Sequence, residues 1–254
     1  MIFQFDLTKT LENMGENIYV FEDPKKYDEA IPKHPHYIEM ADKIKKEISK
    51  KPKKNISILE IGCGPGPLTQ ILYSDEYKQY DAIEPDKREY KYLCKKFEGK
   101  LGKSFRIFNV PIHEFKSDIK YDIIVASFVD HHISPDEKIN YYKKIISFLS
   151  KDGFFIAGEE LLGEYSNNDE RIIRLFQYHG YIIKTCIEES NFDMAEIETR
   201  ALKNGIEKWD EYKISGKEYK KYVQSSGMKI IKFEKIGPIE VKEGGIFIII
   251  CKKA

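Results

Sequence analysis

The segment Glu60-Ile61-Gly62-Cys63-Gly64-Pro65-Gly66 sets an acidic side chain just before three alternate glycines. Glycine lets a backbone pass close beneath a ligand, and a strand that runs through such a turn into a helix is a nucleotide-binding arrangement. A second acid, Glu84, ends the next apolar run. In a doubly wound sheet a carboxylate at that point meets the two hydroxyls of a ribose. The spacing is G-x-G-x-G rather than the dinucleotide G-x-G-x-x-G, and Pro65 removes one N–H that a pyrophosphate would use. Candidate bases are His131, His132, His179, Asp130 and Glu159. His131 and His132 follow the fourth apolar run and Glu159-Glu160 follows the fifth, at the carboxyl edge where open sheets hold ligands. One of Glu159 and Glu160 is expected in the cleft and the other in solvent. Against these chemical roles stand plainer ones: a histidine pair packing against the next helix, and a His179 satisfied inside a helical layer.

The elements that must position these groups alternate. Tyr37, Met40, Ala41, Ile44 and Ile48 lie on one helical face leading to the first strand. After the glycine turn come a helix from Leu68 to Tyr73, a strand over 80–84, a helix over 87–96, a strand over 105–108 ending at Asn109, and a strand over 121–127. Ser134-Pro135-Asp136-Glu137 combines a capping box with proline at the first helical position. A fifth strand is expected over 153–157. Strand and helix in turn imply a parallel sheet covered on both faces. Residues 163–227 then read as helix only: one with Ile172, Leu175, Phe176, His179, Ile183, Cys186 and Ile187 on one face, a second around Met194 to Leu202, and a third opened by Ser215-x-x-Glu218 and closed by Gly227. Runs over 229–233 and 246–251, with no helix between them, should pair as an antiparallel hairpin. Residues 1–35, including Phe3, Phe5, Leu7, Leu11 and Phe21, carry prolines that interrupt helix, and their order is expected to depend on packing against the rest. Lys50 to Lys54 reads as a solvated helix end and linker.

The chain has 254 residues, 41% of them hydrophobic, enough for one good core, and a single domain over 1–254 is expected. Its 42 basic and 42 acidic residues cancel, so no global charge draws it to nucleic acid or to an anionic membrane. Cys63, Cys94, Cys186 and Cys251 are scattered and read as reduced thiols. No apolar run reaches the roughly 20 residues of a membrane helix, and a cytoplasmic protein is expected. No His, Cys or Asp cluster has ligand spacing, Asp130 reads as a solvated acid, and activity is expected to survive a chelator.

These residues resemble the class I S-adenosylmethionine-dependent methyltransferases of the small-molecule type. The likeness rests on the Glu60 to Gly66 turn, Glu84, Asp122 to Ser127 with the His131-His132 pair, Gly153-Phe154 and the C-terminal hairpin. The resemblance implies an α/β fold, a doubly wound Rossmann-like seven-stranded mostly parallel sheet with a C-terminal antiparallel hairpin. It also implies a helical N-terminal lid over 1–50 and a helical cap over 163–227 between strands five and six. The cofactor, S-adenosylmethionine, would be bound by Glu60, Gly62, Cys63, Gly64, Gly66, Glu84, Pro85, Asn109, Val110 and Ser127. Asn109 stands where the family commonly has an aspartate, but an amide oxygen can accept the same hydrogen bond. A small-molecule acceptor would meet Tyr27 and Tyr37 of the lid, His131, and Phe176, Tyr178 and Tyr212 of the cap. His179, His132 and Glu159 are the candidates to assist the transfer. Ser127-Phe128-Val129-Asp130 replaces the Asn/Asp-Pro-Pro-Tyr/Phe of base-modifying members, so no nucleic-acid substrate is expected. A monomer or homodimer is expected. A regulatory subunit that only binds the cofactor, or a nicotinamide oxidoreductase, are the other readings.

Overall fold

The computed structural model describes residues 23–241 and 244–254. The expected order in Phe3, Phe5, Leu7, Leu11 and Phe21 therefore lies outside the described residues. Seven strands form one sheet in the order β3-β2-β1-β4-β5-β7-β6. The first, β1 (Ser57–Ile61), pairs in parallel with β2 (Gln79–Ile83) on one side and β4 (Tyr121–Ser127) on the other. Every residue of β1 is buried, which is why Ile58, Leu59 and Ile61 are apolar and Glu60 is the exception among them. Beyond β2 lies β3 (Phe105–Phe108), and beyond β4 lies β5 (Leu149–Leu161). The strand order reverses between β1 and β4, and in such sheets the crevice for ligands opens at the carboxyl ends of the strands flanking that point.

The hairpin is present as β6 (Met228–Gly237) and β7 (Gly245–Lys253), and β7 also pairs antiparallel with β5. Each face of the sheet carries its own core. Ile58, Val125, Ile156 and Ile248 point to one, Leu59, Ile124, Ala157 and Ile249 to the other, as the period of two requires. The first face is covered by α2 (Tyr37–Ile48), α3 (Pro67–Leu72) and α4 (Lys87–Lys96). The second is covered by α5 (Lys138–Phe148) and α8 (Gly216–Ser225). The Ser215 and Glu218 capping box is formed in full at the start of α8.

Several local readings are corrected. The helix expected to begin at Pro135 begins at Lys138; Ser134 Oγ donates to the Glu137 side chain at 3.2 Å, so residues 134–137 make a turn instead. Strand β5 runs on through Glu159 and Glu160 to Leu161, because β7 pairs with it along that length. Helix α6 (Asn168–Glu188) buries Arg171, Leu175, Tyr178, His179, Ile182 and Cys186, while Phe176 is 54% and Ile187 41% exposed. The inner face shares Leu175, His179 and Cys186 with the expected one but takes Tyr178 and Ile182 into the core in place of Phe176 and Ile187. Of the helices expected over 163–227, α6 and α7 (Phe192–Glu207) form a helical layer, while α8 lies against the sheet.

The N-terminal helix α1 (Pro24–Ala30) is capped by Asp23, which accepts from the N–H groups of Lys25 and Lys26. It bridges two parts of the molecule. Asp28 accepts from Lys96 Nζ of α4 at 2.7 and 2.8 Å and from the Tyr92 hydroxyl at 3.1 Å, while Lys26 pairs with Asp193 at 3.1 Å and Glu196 at 3.2 Å on α7. Among the described residues no helix is long and apolar enough to cross a membrane.

Candidate active site

Glu60 is the last residue but one of β1 and is 2% exposed. Its Oε2 accepts from Thr69 Oγ1 at 2.7 Å and from the Tyr80 hydroxyl at 2.6 Å. Burial pushes its carboxyl up to about 7 in spite of these donors. Glu84, just past β2, accepts from the backbone N–H of Gly64 at 2.8 Å on one oxygen and from that of Asp86 at 2.8 Å on the other. Burial raises it as well. Asn109 donates its amide N–H groups to the carbonyls of Glu84 at 2.8 Å and Pro85 at 2.9 Å. Its oxygen is thereby turned outward as an acceptor, the role for which an aspartate would also serve.

The turn between β1 and α3 has Gly64 at φ +54° and Gly66 at φ +87°. A Cβ on Gly66 would collide with Leu93 Cδ1, so that glycine is required by packing against α4. A Cβ on Gly64 would meet nothing within 4 Å; the backbone there borders open space beside Glu84. At Gly62 the neighbouring space is filled by Val129, which ties the turn to the loop after β4. Glu89, in the first turn of α4, is buried with both carboxylate oxygens unpartnered, and burial and Glu84 push it up to about 8. An open glycine cradle with carboxylates at its rim fits a ligand bearing hydroxyls and positive charge. Cys63 is buried with Sγ 3.5 Å from the Ile83 carbonyl, Val110 is half-buried in the second core, and Ser127 Oγ lies 3.9 Å from Met40 Sδ.

A second cleft opens between α1, the ends of β4 and β5, and α7. Tyr27, His34, Phe128, His131, Glu160 and Glu198 are among its lining residues. The short 3₁₀ turn Asp130–His132 presents the histidine pair. His131 Nδ1 meets Glu159 Oε1 at 2.5 Å. Glu159 also accepts the backbone N–H groups of Asp130 at 2.8 Å and Glu160 at 2.7 Å, so the imidazole is the donor and its Nε2 carries the lone pair. Burial, and then the Lys213 ammonium, hold His131 well below the usual imidazole range. Burial and Glu160 push Glu159 up to about 7. The ring of His132 meets the Asp210 carbonyl at 2.6 Å through Nδ1.

Glu160 accepts from the Tyr178 hydroxyl at 2.5 Å and pairs with Lys213 Nζ at 3.1 Å. His34 Nε2 lies 3.3 Å from Glu160 and 3.5 Å from Glu198 without an aligned hydrogen bond, close enough for charge pairing. Burial alone would lower His34, but the two carboxylates outweigh it and raise the imidazole to about 10. Lys213 also pairs with Glu211 at 2.8 Å, and these carboxylates hold it charged against the cost of burial.

The sequence-derived candidates separate accordingly. His131, His132 and Tyr27 line the cleft. Glu159 stands behind His131 instead of facing the cleft, and the expectation that one of Glu159 and Glu160 is solvated is corrected, since both are buried. His179 is fully buried one layer behind, with Nδ1 2.8 Å from Glu198 Oε2, so it acts on the cleft only through Glu198. Tyr178 likewise reaches the site through Glu160. Tyr37 packs on Phe128 with ring centroids 5.8 Å apart, and Tyr212 donates its backbone N–H to the His131 carbonyl at 2.7 Å; neither lines the cleft. Phe176 points to solvent on the outer face of α6. Asp130 is not a solvated acid: it is buried and accepts from the hydroxyls of Tyr141, Tyr142 and Tyr219 at 2.6 to 2.8 Å. His34, Glu198, Glu211 and Lys213 were not foreseen. For Glu198 a signal existed, because it falls in the buried stripe of Met194, Ile197 and Ala201.

A methyltransferase-domain family model matches residues 34–203, and the chain belongs to that family. An uncharacterized methyltransferase of Staphylococcus carnosus is 35% identical over 124 residues, 44% of this chain and 56% of the relative. Alpha N-terminal protein methyltransferase 1 of Drosophila melanogaster is 24% identical over 136 residues, 50% of this chain and 48% of the relative. The matches thus span about half the length of these curated relatives. Among solved structures, an S-adenosylmethionine-dependent methyltransferase of Leishmania major superposes with a TM-score of 0.61 at 14% identity, covering 96% of this chain and 82% of the other. The 1,6-didemethyltoxoflavin-N1-methyltransferase of Burkholderia thailandensis, with bound S-adenosylhomocysteine, gives 0.55 at 12% identity over 87% and 79%. These likenesses establish the seven-stranded methyltransferase fold.

Proposed function

We propose that the protein transfers the methyl group of S-adenosylmethionine to a small-molecule acceptor held in the cleft between α1 and α7. The observation that carries this reading is the adjacency of two sites along one sheet edge: the Gly64 cradle with its carboxylates, and the His131 cleft, joined through Val129 against Gly62. The cradle suits the cofactor's groups. Glu84 meets the ribose hydroxyls, Asn109 Oδ1 accepts from the adenine amino group, and Glu60 balances the charged amino-acid portion. S-adenosylmethionine, when bound, supplies an electrophilic methyl group on a sulfonium.

The rest falls to the chain's own residues. Displacement at a methyl carbon needs an acceptor lone pair held in line, roughly 3 to 3.5 Å away, so orientation is the main contribution. His131, kept neutral and fixed by Glu159, turns its Nε2 lone pair to the acceptor and takes a hydrogen bond from a hydroxyl or amine there. The helical layer of α6 and α7 roofs this pocket, and α1 spans both sites, with Tyr27 facing the acceptor and Asp28 anchored on α4. Calorimetry tests the first half: S-adenosylhomocysteine should bind and nicotinamide dinucleotides should not. Methyl-labelled cofactor incubated with fractionated small metabolites tests the second. Label that appears only in macromolecules would refute the small-molecule acceptor.

A further inference from the structure

Four of the chain's six histidines gather at the acceptor cleft, His34, His131 and His132 in its wall and His179 behind it. They are met by Glu159, Glu160, Glu198 and Glu211. Within this group His131, His132 and Glu211 each offer one ligand atom, and the three atoms lie within 4.8 Å of one another. His131 Nε2 is 3.9 Å from Glu211 Oε2. Donors about 2.0 to 2.2 Å from a single ion stand some 3 to 4 Å apart, so the cluster is near the size an ion would draw together.

The surroundings are those of ligands and not of an ordinary polar core. Metal-bound histidines generally donate their other ring N–H to a carboxylate or a backbone carbonyl, which fixes the tautomer and aims the lone pair. Both histidines have that partner: His131 Nδ1 with Glu159 Oε1 at 2.5 Å, and His132 Nδ1 with the Asp210 carbonyl at 2.6 Å. Glu159 is itself fixed by two backbone N–H groups. The segment carrying Glu211 is clamped to the histidine turn by the Tyr212 N–H on the His131 carbonyl at 2.7 Å. Lys213 donates to Glu211 Oε2 at 2.8 Å and pairs with Glu160 at 3.1 Å; it occupies one oxygen of Glu211 and competes for its charge.

We propose that His131, His132 and Glu211 bind one first-row divalent metal ion, with its remaining coordination positions open to the acceptor cleft that all three residues line. Two imidazoles and a carboxylate with open positions suit zinc, iron(II) or cobalt better than calcium or magnesium. There the ion, and no longer the acceptor, would take the His131 Nε2 lone pair, and the ion would hold the acceptor's donor atom and favour its deprotonated form. Only this last role rests on the methyltransferase reading; binding of the ion does not. The inference reverses the expectation, drawn from spacing along the chain, that a chelator leaves activity unchanged.

The test uses the full chain stripped with chelator, without cofactor or acceptor, titrated with cobalt(II) alone and read by visible absorption, with zinc bound per chain measured by equilibrium dialysis. One ion per chain is expected. His132→Asn and Glu211→Gln should each weaken binding at least tenfold at unchanged apo-protein melting temperature. His36→Asn and His113→Asn should bind as the parent does. No stoichiometric binding, or undiminished binding in His132→Asn and Glu211→Gln, overturns the proposal. Loss in His34→Asn with retention in His132→Asn also overturns it, placing the ion on His34, Glu160 and Glu198 instead. A protein that binds the ion but labels no acceptor would sink the proposed function and leave this site standing.

Discussion

The backbone N–H of Gly64 donates to Glu84 Oε2 at 2.8 Å, so the turn after β1 and the end of β2 are locked together. The same carboxylate takes the Asp86 N–H on its other oxygen. Glu84 is thus oriented without a ligand. Changing Glu84 to glutamine should weaken cofactor binding by about 1.5 to 3 kcal/mol, the size of charge-assisted hydrogen bonds. Calorimetry beside thermal melts checks this, and unchanged affinity would remove Glu84 from the cofactor site.

Gly64 and Gly66 should fail differently. At Gly66 an alanine methyl collides with Leu93 and must also adopt φ +87°, so Gly66→Ala should cost stability by about 2 to 4 kcal/mol. At Gly64 the methyl enters open space, so Gly64→Ala should cost only about 1 to 2 kcal/mol of backbone strain while cofactor affinity falls steeply. Denaturation and binding measured on the two variants separate these cases; equal losses in both would contradict the cradle.

Cofactor affinity should depend on pH through Glu60. Burial lifts its carboxyl from 4.5 to about 7, so the folded protein favours the protonated form, and ionisation is complete only above that value. A cationic ligand prefers the ionised form. Affinity should therefore fall as pH drops from about 8 to 6, with a proton released on binding near neutrality. Calorimetry in buffers of different ionisation enthalpy reads that proton, and the same slope in Glu60→Gln would place the titration elsewhere.

His34 makes stability fall in alkali. Its pKa is raised from 6.5 to about 10, so its contribution is fully present below about 6.5 and lost as pH rises through 10. Glu198 runs the other way: lowered from 4.5 to about 2, against burial, by His179 and His34, it contributes above 4.5 and loses that contribution as pH falls toward 2. Urea denaturation across this range should show the alkaline decline in the parent and flatten it in His34→Gln. A parallel decline in both would assign it to another group.

For His179→Gln the expectation is a structural loss. The ring is one layer behind the cleft, so stability should drop by about 1 to 3 kcal/mol with activity following the folded fraction. A large fall in turnover at unchanged melting temperature would return His179 to the acceptor's side.

Much of the scaffold was legible because it obeys simple periods. The β1 turn, Glu84, the alternating strands and the Ser215 cap all follow local rules. The inner face of α6 was rotated from the expected one because two neighbouring apolar stripes share the helical spacing, and the buried one runs through Leu175, Tyr178, Ile182 and Cys186. The cleft was mostly hidden for a related reason. Glu198, Glu211, Lys213 and His34 are residue types normally solvated, and their burial depends on neighbours brought in from distant segments. Nor does an antiparallel hairpin indicate which of its strands will join the sheet.

That last point bears on how the molecule is made. Because β7 lies between β5 and β6, β6 has no place in the sheet until β7 has emerged from the ribosome. Until then the five strands from β3 to β5 leave the long edge of β5 uncovered. Such an edge recruits any strand that passes. Synthesis that pauses within residues 238–253 would leave a template for association between neighbouring chains, and the final strand is what ends that exposure.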